Sequence, residues 1–320
     1  MLRKSDQPKS NRMIGTYALL LMTSLFWGSA FVFSKVAEES VPPLVAAFLR
    51  FFLGAIVGMV MIIGQKFRDP HYKMVPKTAW LDTIVLGLIG VTGYNLFFFW
   101  GLAQSPAADG SMIIPTLSPA ITVLMAVGFL KERFRKNLAV GLVVTLFGSI
   151  IFFSAIAFVR LPHDPHRLFG DVLYLLAAVL WGINTLLSKR TTGRIDPFLV
   201  TTYAMIFGSF ALGILAFPQI MTIHWAKVGL PFWVDQAYLA VFPSVFANWF
   251  YYLGVKQIGP SRASVFMYFV PVSSLLLAAI VLGETLTIGQ FIGTIFMMIG
   301  VWIINRKDRT ALSIEIQENA

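Results

Sequence analysis

"FWGSAFVFSK" at residues 26–35 and "LWGINTLLSK" at residues 180–189 are two spellings of one segment. Trp27 and Trp181, Gly28 and Gly182, Ser34 and Ser188, Lys35 and Lys189 each stand 154 positions apart. The correspondence continues along the chain. Pro43 and Pro197 keep the offset of 154, and Asn95 and Asn248, Gly101 and Gly254, Gln104 and Gln257 keep 153. Pro119 and Pro271, Glu132 and Glu284, Gly141 and Gly293, Gly148 and Gly300 keep 152. One matched pair would be chance. An ordered series with two one-residue slips, each placeable in a loop, marks a duplication.

Composition says what medium the two copies live in. The 320 residues are 57% hydrophobic, 14% aromatic and 12% charged, with mean hydropathy +0.76. A soluble domain carries about 25% charged residues, so this chain is solvated by lipid. The net charge is +10, but the basic residues sit in short loops between apolar runs. No stripe for nucleic acid forms. The absence of Cys excludes disulfides, a thiolate metal site and a thiol nucleophile. No cofactor and no metal are expected.

A spanning helix takes about 20 mostly apolar residues. Ten such runs are expected, near 13–36, 43–64, 79–102, 108–130, 138–158, 169–188, 197–217, 235–255, 263–282 and 288–305. The first run follows a basic N-terminus, but it is too long for a signal peptide and lacks a small-residue cleavage site; we expect it to be retained. Twenty of the 25 Lys and Arg fall in one alternating set of loops and four in the other, while Arg50 lies inside a span. By the positive-inside rule this puts both termini in the cytoplasm of an inner or plasma membrane protein. Five spans per copy force the second copy to enter the membrane from the opposite side. The expected fold is all-α, ten transmembrane helices as two inverted five-helix repeats, a transporter arrangement with its site near the midplane. The expected organisation is a tail at 1–12, repeats at 13–158 and 169–305, an outer loop at 159–168 and a tail at 306–320. "RLPHDPHRLFGD" at 160–171 holds two His and two Asp. It is read as a solvated loop rather than a zinc site, because such sites need convergent geometry.

At this point the chain resembles the EamA-type group of the drug/metabolite transporter superfamily. The residues that carry the resemblance are "WGSAFVFSK", "LRFFLGA" and "LSPAITVLMAVGFLKERF", with "WGINTLLSK" and "FVPVSSLLLAAIVLGETLT" in the second half. The resemblance spans roughly residues 13–305. It implies ten helices, inverted repeats, and transport of a small metabolite, with a lean toward export of amino acids or related compounds. It fixes no substrate, since members handle amino acids, sugars, nucleotide derivatives and toxic cations. "FLKE" replaces the more usual Leu-Gly-Glu in the first half.

Helical spacing groups Thr23, Trp27, Ala30 and Ser34 on one face of the first span. Ala177, Trp181, Asn184 and Ser188 form the matching face of the sixth. An amide facing lipid is costly, so Asn184 should point inward, toward substrate or toward a neighbouring backbone. Tyr94 and Asn95 in the third span, and Asn248 and Tyr251 in the eighth, add rings and amides suited to an apolar pocket with orienting hydrogen bonds. Arg50 sits about 10 Å into the second span, and its counterpart is Ala204. It would hold a carboxylate, or act structurally or in gating. Trp27, Ser34, Arg50, Tyr94, Asn95, Trp181, Asn184, Ser188, Asn248 and Tyr251 are therefore the candidate substrate-binding residues. Glu132, Glu284, Asp82 and Asp235 are assigned structural roles at helix ends. Pro119 and Pro271 are read as opening spans, or kinking them if deeper.

The expected partners are a small-molecule substrate, membrane lipid, and protons as the candidate coupling ion. The sequence sets no oligomeric state. Alternatives are a facilitator or exchanger for a sugar, nucleobase or cationic toxin, and, from another class, a membrane-embedded enzyme or a scaffold. No His-Glu-x-x-His, intramembrane Asp pair or Walker motif occurs to support catalysis.

Overall fold

Apolar runs this long must satisfy their own backbone in hydrocarbon, and a helix does so within one segment. A computed structural model describes residues 9–105, 107–132, 135–154, 165–282 and 287–306. Among them no strand occurs. Helix α1 (Lys9–Ser40) is followed by α2 (Pro43–Arg68). A 3-10 turn then leads into α3 (Trp80–Leu86), which continues through a π-helical stretch, Gly87–Gly93, into α4 (Tyr94–Leu102). Helices α5 (Ala107–Leu130) and α6 (Lys136–Ser154) complete the first half.

The second half repeats the order. It comprises α7 (Pro165–Thr192), α8 (Pro197–Ile220), α9 (Leu230–Leu239), a π stretch at Ala240–Phe246 and α10 (Ala247–Ile258). Then come α11 (Pro260–Ser264), a 3-10 turn at Val265–Tyr268, α12 (Phe269–Leu282) and α13 (Ile288–Asn305). The two π stretches have the same length and stand 153 residues apart, the offset kept by Asn95 and Asn248.

Seven described helices are long and apolar enough to cross a membrane, and Lys136–Phe152 is a shorter apolar helix. The helix ends have local causes. Asp196 caps α8 by accepting from the Phe198 amide at 2.9 Å, and Pro197 fills a position that needs no N–H. Thr287 and Gln290 form a capping box for α13. Gly259, at φ 87°, turns the chain between α10 and α11 in a conformation open to glycine. Pro119 departs from the span-opening reading: α5 begins at Ala107 and runs through both Pro115 and Pro119. Pro119 is therefore of the deeper kind, removing an N–H from the helix interior. Residues 1–8 and 307–320 of the tails, residues 160–164 of the outer loop and Glu284 lie outside the described residues.

Matched helices meet each other across the halves. Helix α6 packs against α13, and α2 against α8. The other main pairs exchange under the same correspondence: α5 with α7 answers α12 with α1, and α4 with α7 answers α10 with α1. Direction is read from the glycines. A Cβ on Gly141 would strike the Gly300 carbonyl at 2.7 Å, and one on Gly148 the Gly293 carbonyl at 2.8 Å. The reverse also holds, with Gly293 against the Gly148 carbonyl at 2.7 Å and Gly300 against that of Gly141 at 2.6 Å. Ascending residues on α6 thus meet descending residues on α13, so the helices are antiparallel. Gly54 against Met205 and Gly58 against Thr202 give α2 and α8 the same antiparallel sense.

Polar clusters tie the two ends of the bundle. At one end the Arg167 guanidinium donates to both Asp109 oxygens, at 2.7 and 3.0 Å, while Ser105 donates to Asp171 at 2.6 Å. At the other, Thr16 bonds Gln257, Ser261 bonds Glu132, and the Lys189 ammonium donates to the Lys256 carbonyl at 2.8 Å.

The seam between α6 and α13 makes a sharp prediction. Gly148→Leu or Gly293→Leu should destabilise the protein by about 1–3 kcal/mol or more, through overpacking against backbone. Gly64→Ala, where a Cβ meets nothing within 4 Å, should be neutral or stabilising by a few tenths to ~1 kcal/mol. Thermal unfolding in detergent compares them; equal stability of the Leu and Ala variants would refute backbone-to-backbone packing.

Candidate substrate-binding site

Helices α1 and α7 bring their matched tryptophans into contact. The Trp27 and Trp181 rings lie edge to face, centroids 5.2 Å apart. Tyr251 of α10 lies 5.2 Å from Trp27 and 5.7 Å from Trp181, and Tyr94 of α4 lies 5.5 Å from Trp181. Two aromatic residues from each half thus form one cluster, of the offset and edge-on geometries that ring quadrupoles favour. The polar handles of three of the rings are occupied. Trp27 Nε1 donates to the Pro243 carbonyl at 3.2 Å, and Trp181 Nε1 points at the Met267 sulfur at 3.0 Å. The Tyr251 hydroxyl shares a 3.0 Å hydrogen bond with Thr185.

Asn184 sits one turn beyond Trp181 on α7 and is wholly buried. Its Oδ1 accepts from the Tyr252 hydroxyl at 3.0 Å, while its Nδ2 has no hydrogen-bond partner. Gly90, in the first π stretch, lies directly against this amide; a Cβ there would overlap its carbon. An unpaired buried donor costs about 1–3 kcal/mol, so Asn184 is held against a standing penalty.

The matched amides Asn95 and Asn248 both turn back onto their own helices. Asn95 Nδ2 donates to the Val91 carbonyl at 2.6 Å, and Asn248 Nδ2 to the Ser244 carbonyl at 2.8 Å. Both acceptors lie in the π stretches, whose wider turns displace carbonyls from ordinary partners. Ser244 Oγ bonds the Leu239 carbonyl, five residues back, at 2.9 Å, and Thr92 reaches the Gly208 carbonyl on α8 at 2.9 Å. Ser188 is fully buried and donates to the Thr185 carbonyl of its own helix at 2.7 Å. The Ser34 side chain lies outside the described residues.

Arg50 reaches the second π stretch, where its Nε donates to Ser244 Oγ at 2.8 Å. It is close enough to Tyr94 to interact electrostatically, which links it to the aromatic cluster. Among the described residues no carboxylate forms an ion pair with it. A guanidinium bonded through Nε alone keeps donors for a planar anion. No group of three or more His, Asp or Glu placed to hold a metal ion occurs among the described residues.

Sequence reasoning missed Thr185, Ser244, Tyr252 and the Pro243 carbonyl. Tyr252 stood beside a chosen residue. Pro243 carried the one usable signal: a proline inside the eighth span has no N–H for the Leu239 carbonyl one turn back, and Ser244 Oγ donates to that carbonyl instead.

A family model described as "EamA-like transporter family" matches residues 14–154 and 168–306. The chain is 27% identical to the uncharacterized transporter YyaM of Bacillus subtilis over 288 residues, covering 90% of this chain and 92% of that protein. It is 27% identical to an uncharacterized transporter of Archaeoglobus fulgidus, covering 91% and 99%. It is 26% identical to a probable terminal-alkyne amino-acid exporter of Streptantibioticus cattleyicolor, covering 90% and 92%. A crystal structure at 20% identity superimposes with a TM-score of 0.76 over 91% of this chain and 96% of the other, which is a likeness of fold.

The Asn184 geometry predicts a stability effect. Tyr252→Phe removes the donor to Oδ1 and leaves the whole amide unpaired, which should cost about 1–3 kcal/mol. Asn184→Leu in the Tyr252→Phe background should recover part of that loss, because both unpaired groups are then gone. Detergent melts of the three proteins measure it; an additive further loss in the double variant would show that the two side chains are not coupled.

Proposed function

The chain belongs to the EamA-like transporter family, and from that premise we propose that it is a secondary transporter exporting an amino acid or related small metabolite by alternating access. The helical stretches 77–102, 230–258 and 260–282 each count as one crossing in this reading. With α6 they bring the total to ten, in two inverted five-helix repeats with both termini in the cytoplasm. The antiparallel pairing of α6 with α13 and of α2 with α8 supports the inversion.

The observation that carries the reading is the cluster of Trp27, Tyr94, Trp181 and Tyr251, drawn equally from both halves. It lies beside the unpaired Asn184 amide and within electrostatic reach of Arg50. Such a site suits an amphipathic ligand: rings for its apolar body, an amide for orientation, a guanidinium for a carboxylate. Asn95 and Asn248 support the site by holding the π stretches, while Ser188 stands two turns beyond Trp181 on α7. The amino-acid exporter among the relatives adds weight to a carboxylate-bearing substrate. The second reading, an exchanger or facilitator for a nucleobase or cationic toxin, draws on the same rings, which would stack on a planar or positive ligand.

Arg50→Gln should lower saturable amino-acid flux in proteoliposomes roughly 10- to 100-fold, the worth of a hydrogen bond to a charged group. Asn184→Ala should weaken binding as well. A folded Arg50→Gln and Asn184→Ala pair with wild-type flux would refute the site. Flux that neither saturates nor supports counterflow would refute a carrier of any substrate.

For coupling, Asp235 on α9 is the described carboxylate to examine. It is buried, and its Oδ2 has no hydrogen-bond partner. Asp235→Asn should abolish accumulation driven by a pH gradient while sparing counterflow. Gradient-driven accumulation by the Asn variant would remove Asp235 from the coupling scheme.

A further inference from the structure

An open cleft of about 300 Å³ lies where the loop before α6, the start of α11 and the end of α13 converge. Arg135, Arg262 and Arg306 line it together with Glu132, Asn137 and Ser261. All three arginines belong to the loop set that carries twenty of the 25 basic residues, the cytoplasmic set by the positive-inside rule. The cleft is remote from the aromatic cluster, and substrate transport by that cluster does not require it.

Its one carboxylate is already engaged. Ser261 donates to Glu132, whose other oxygen lies 2.9 Å from where a Cβ on Gly259 would stand. Glu132 thus faces the turn at Gly259, and it is one carboxylate among three arginines in the cleft lining. Among the described residues neither Arg262 nor Arg306 makes an ion pair. Pseudosymmetry sharpens the contrast. At the offset kept by Gln104 and Gln257, Asp109 maps onto Arg262, and at 154 Arg167 maps onto Met13. Where one end of the bundle closes a bidentate Arg–Asp pair, the corresponding sequence positions hold an arginine and a methionine. Among the described residues no second carboxylate lines the cleft.

We propose that this cleft binds the phosphodiester headgroup of an anionic lipid of the cytoplasmic leaflet. Planar guanidinium forks match phosphate oxygens in pairs, and basic pockets between helices on the cytoplasmic side suit such headgroups. The flanking surface favours lipid over free phosphate. Trp302 lies one turn before Arg306 and is 60% exposed, as an interfacial belt residue is. The Arg306 guanidinium carbon sits 5.1 Å from the Trp302 ring centroid, so that charge is held at the rim between the bilayer face and the cleft.

The test uses the full chain purified in neutral detergent, with lipid retention read by native mass spectrometry and stability by thermal melting. Phosphatidylglycerol, phosphatidylcholine and inorganic phosphate are compared at one ionic strength. Phosphatidylglycerol should be retained and raise the melting temperature, and phosphatidylcholine should do neither. Arg262→Gln and Arg306→Gln should each weaken phosphatidylglycerol retention about five-fold, the equivalent of ~1 kcal/mol per basic residue at an anionic surface. Arg68→Gln, an exposed arginine at the end of α2 on the same face, should leave retention unchanged. If Arg262→Gln does not fold, Arg306→Gln at its exposed position carries the test. Retention that is equal for both lipids, insensitive to Arg306→Gln, or equally reduced by Arg68→Gln overturns the proposal. Stabilisation by inorganic phosphate without retention of phosphatidylglycerol also overturns it, in favour of a soluble phosphoryl ligand.

Discussion

Close approach of α6 and α13 backbones at Gly141, Gly148, Gly293 and Gly300 is the constraint on which the rest of the architecture depends. Lipid tails are as apolar as leucine, so burial of apolar side chains does little to hold helices together in a bilayer. Dispersion contacts at short range must do so, and only small residues allow them along a helix. The four glycines meet reciprocally, each against the carbonyl of its opposite number. The order of the contacts, Gly141 with Gly300 and Gly148 with Gly293, makes the two surfaces antiparallel. The relative direction of the two halves, the meeting of α2 with α8, and the crossing of α1 and α7 at their tryptophans all follow from that pairing.

A second constraint governs the interior. Most buried hydroxyls here bond main-chain carbonyls of their own helix, as Thr122, Thr145, Thr185, Ser188, Thr201 and Thr202 do. This disposes of polar atoms in a medium that offers no water, and it leaves few of them free for anything else. The π stretches are where the economy loosens. Trp27 of α1 donates to the Pro243 carbonyl of the second stretch, and Thr92 of the first donates across to the Gly208 carbonyl of α8. Both stretches abut the aromatic cluster, so the backbone is least regular beside the candidate site.

The fold was legible in the sequence because it rests on features that spell themselves out. The ordered offsets of 154, 153 and 152 between matched residues exposed the two repeats, and the paired glycines marked close packing. The expectation of five spans per unit implied inversion, with which the antiparallel contacts of α6 with α13 agree. The aromatic partners Trp27 and Trp181 were also readable, since both the motif and the helical period select them. The hydrogen-bond arrangement was not. Asn95 and Asn248 look like inward-facing amides at the level of periodicity, yet each folds back on a carbonyl four residues earlier. Nothing in the spacing of residues records such a local choice. Pro119 misled for a related reason: its neighbours continue the helix around it, and tertiary packing overrides the cost of a missing N–H.

What the duplication did not copy is more informative than what it did. Arg50 and Ser244 form a hydrogen bond at positions whose counterparts are Ala204 and Val91. Asn184 stands where the first half has Ala30, Asp109 where the second half has Arg262, and Arg167 where the first half has Met13. A bundle built only for stability would gain from symmetry at each of these places, because apolar pairs pack without the risk of an unpaired buried group. Instead the polar member sits in one half each time, and in two cases it is left incompletely bonded: the Asn184 amide and the Arg50 guanidinium. On the proposed alternating-access reading, two halves that rock against each other need equal packing surfaces to make both states comparable in energy, and a solute that has a head and a tail needs an unequal site. The matched glycines suit the first requirement, and these few broken matches suit the second.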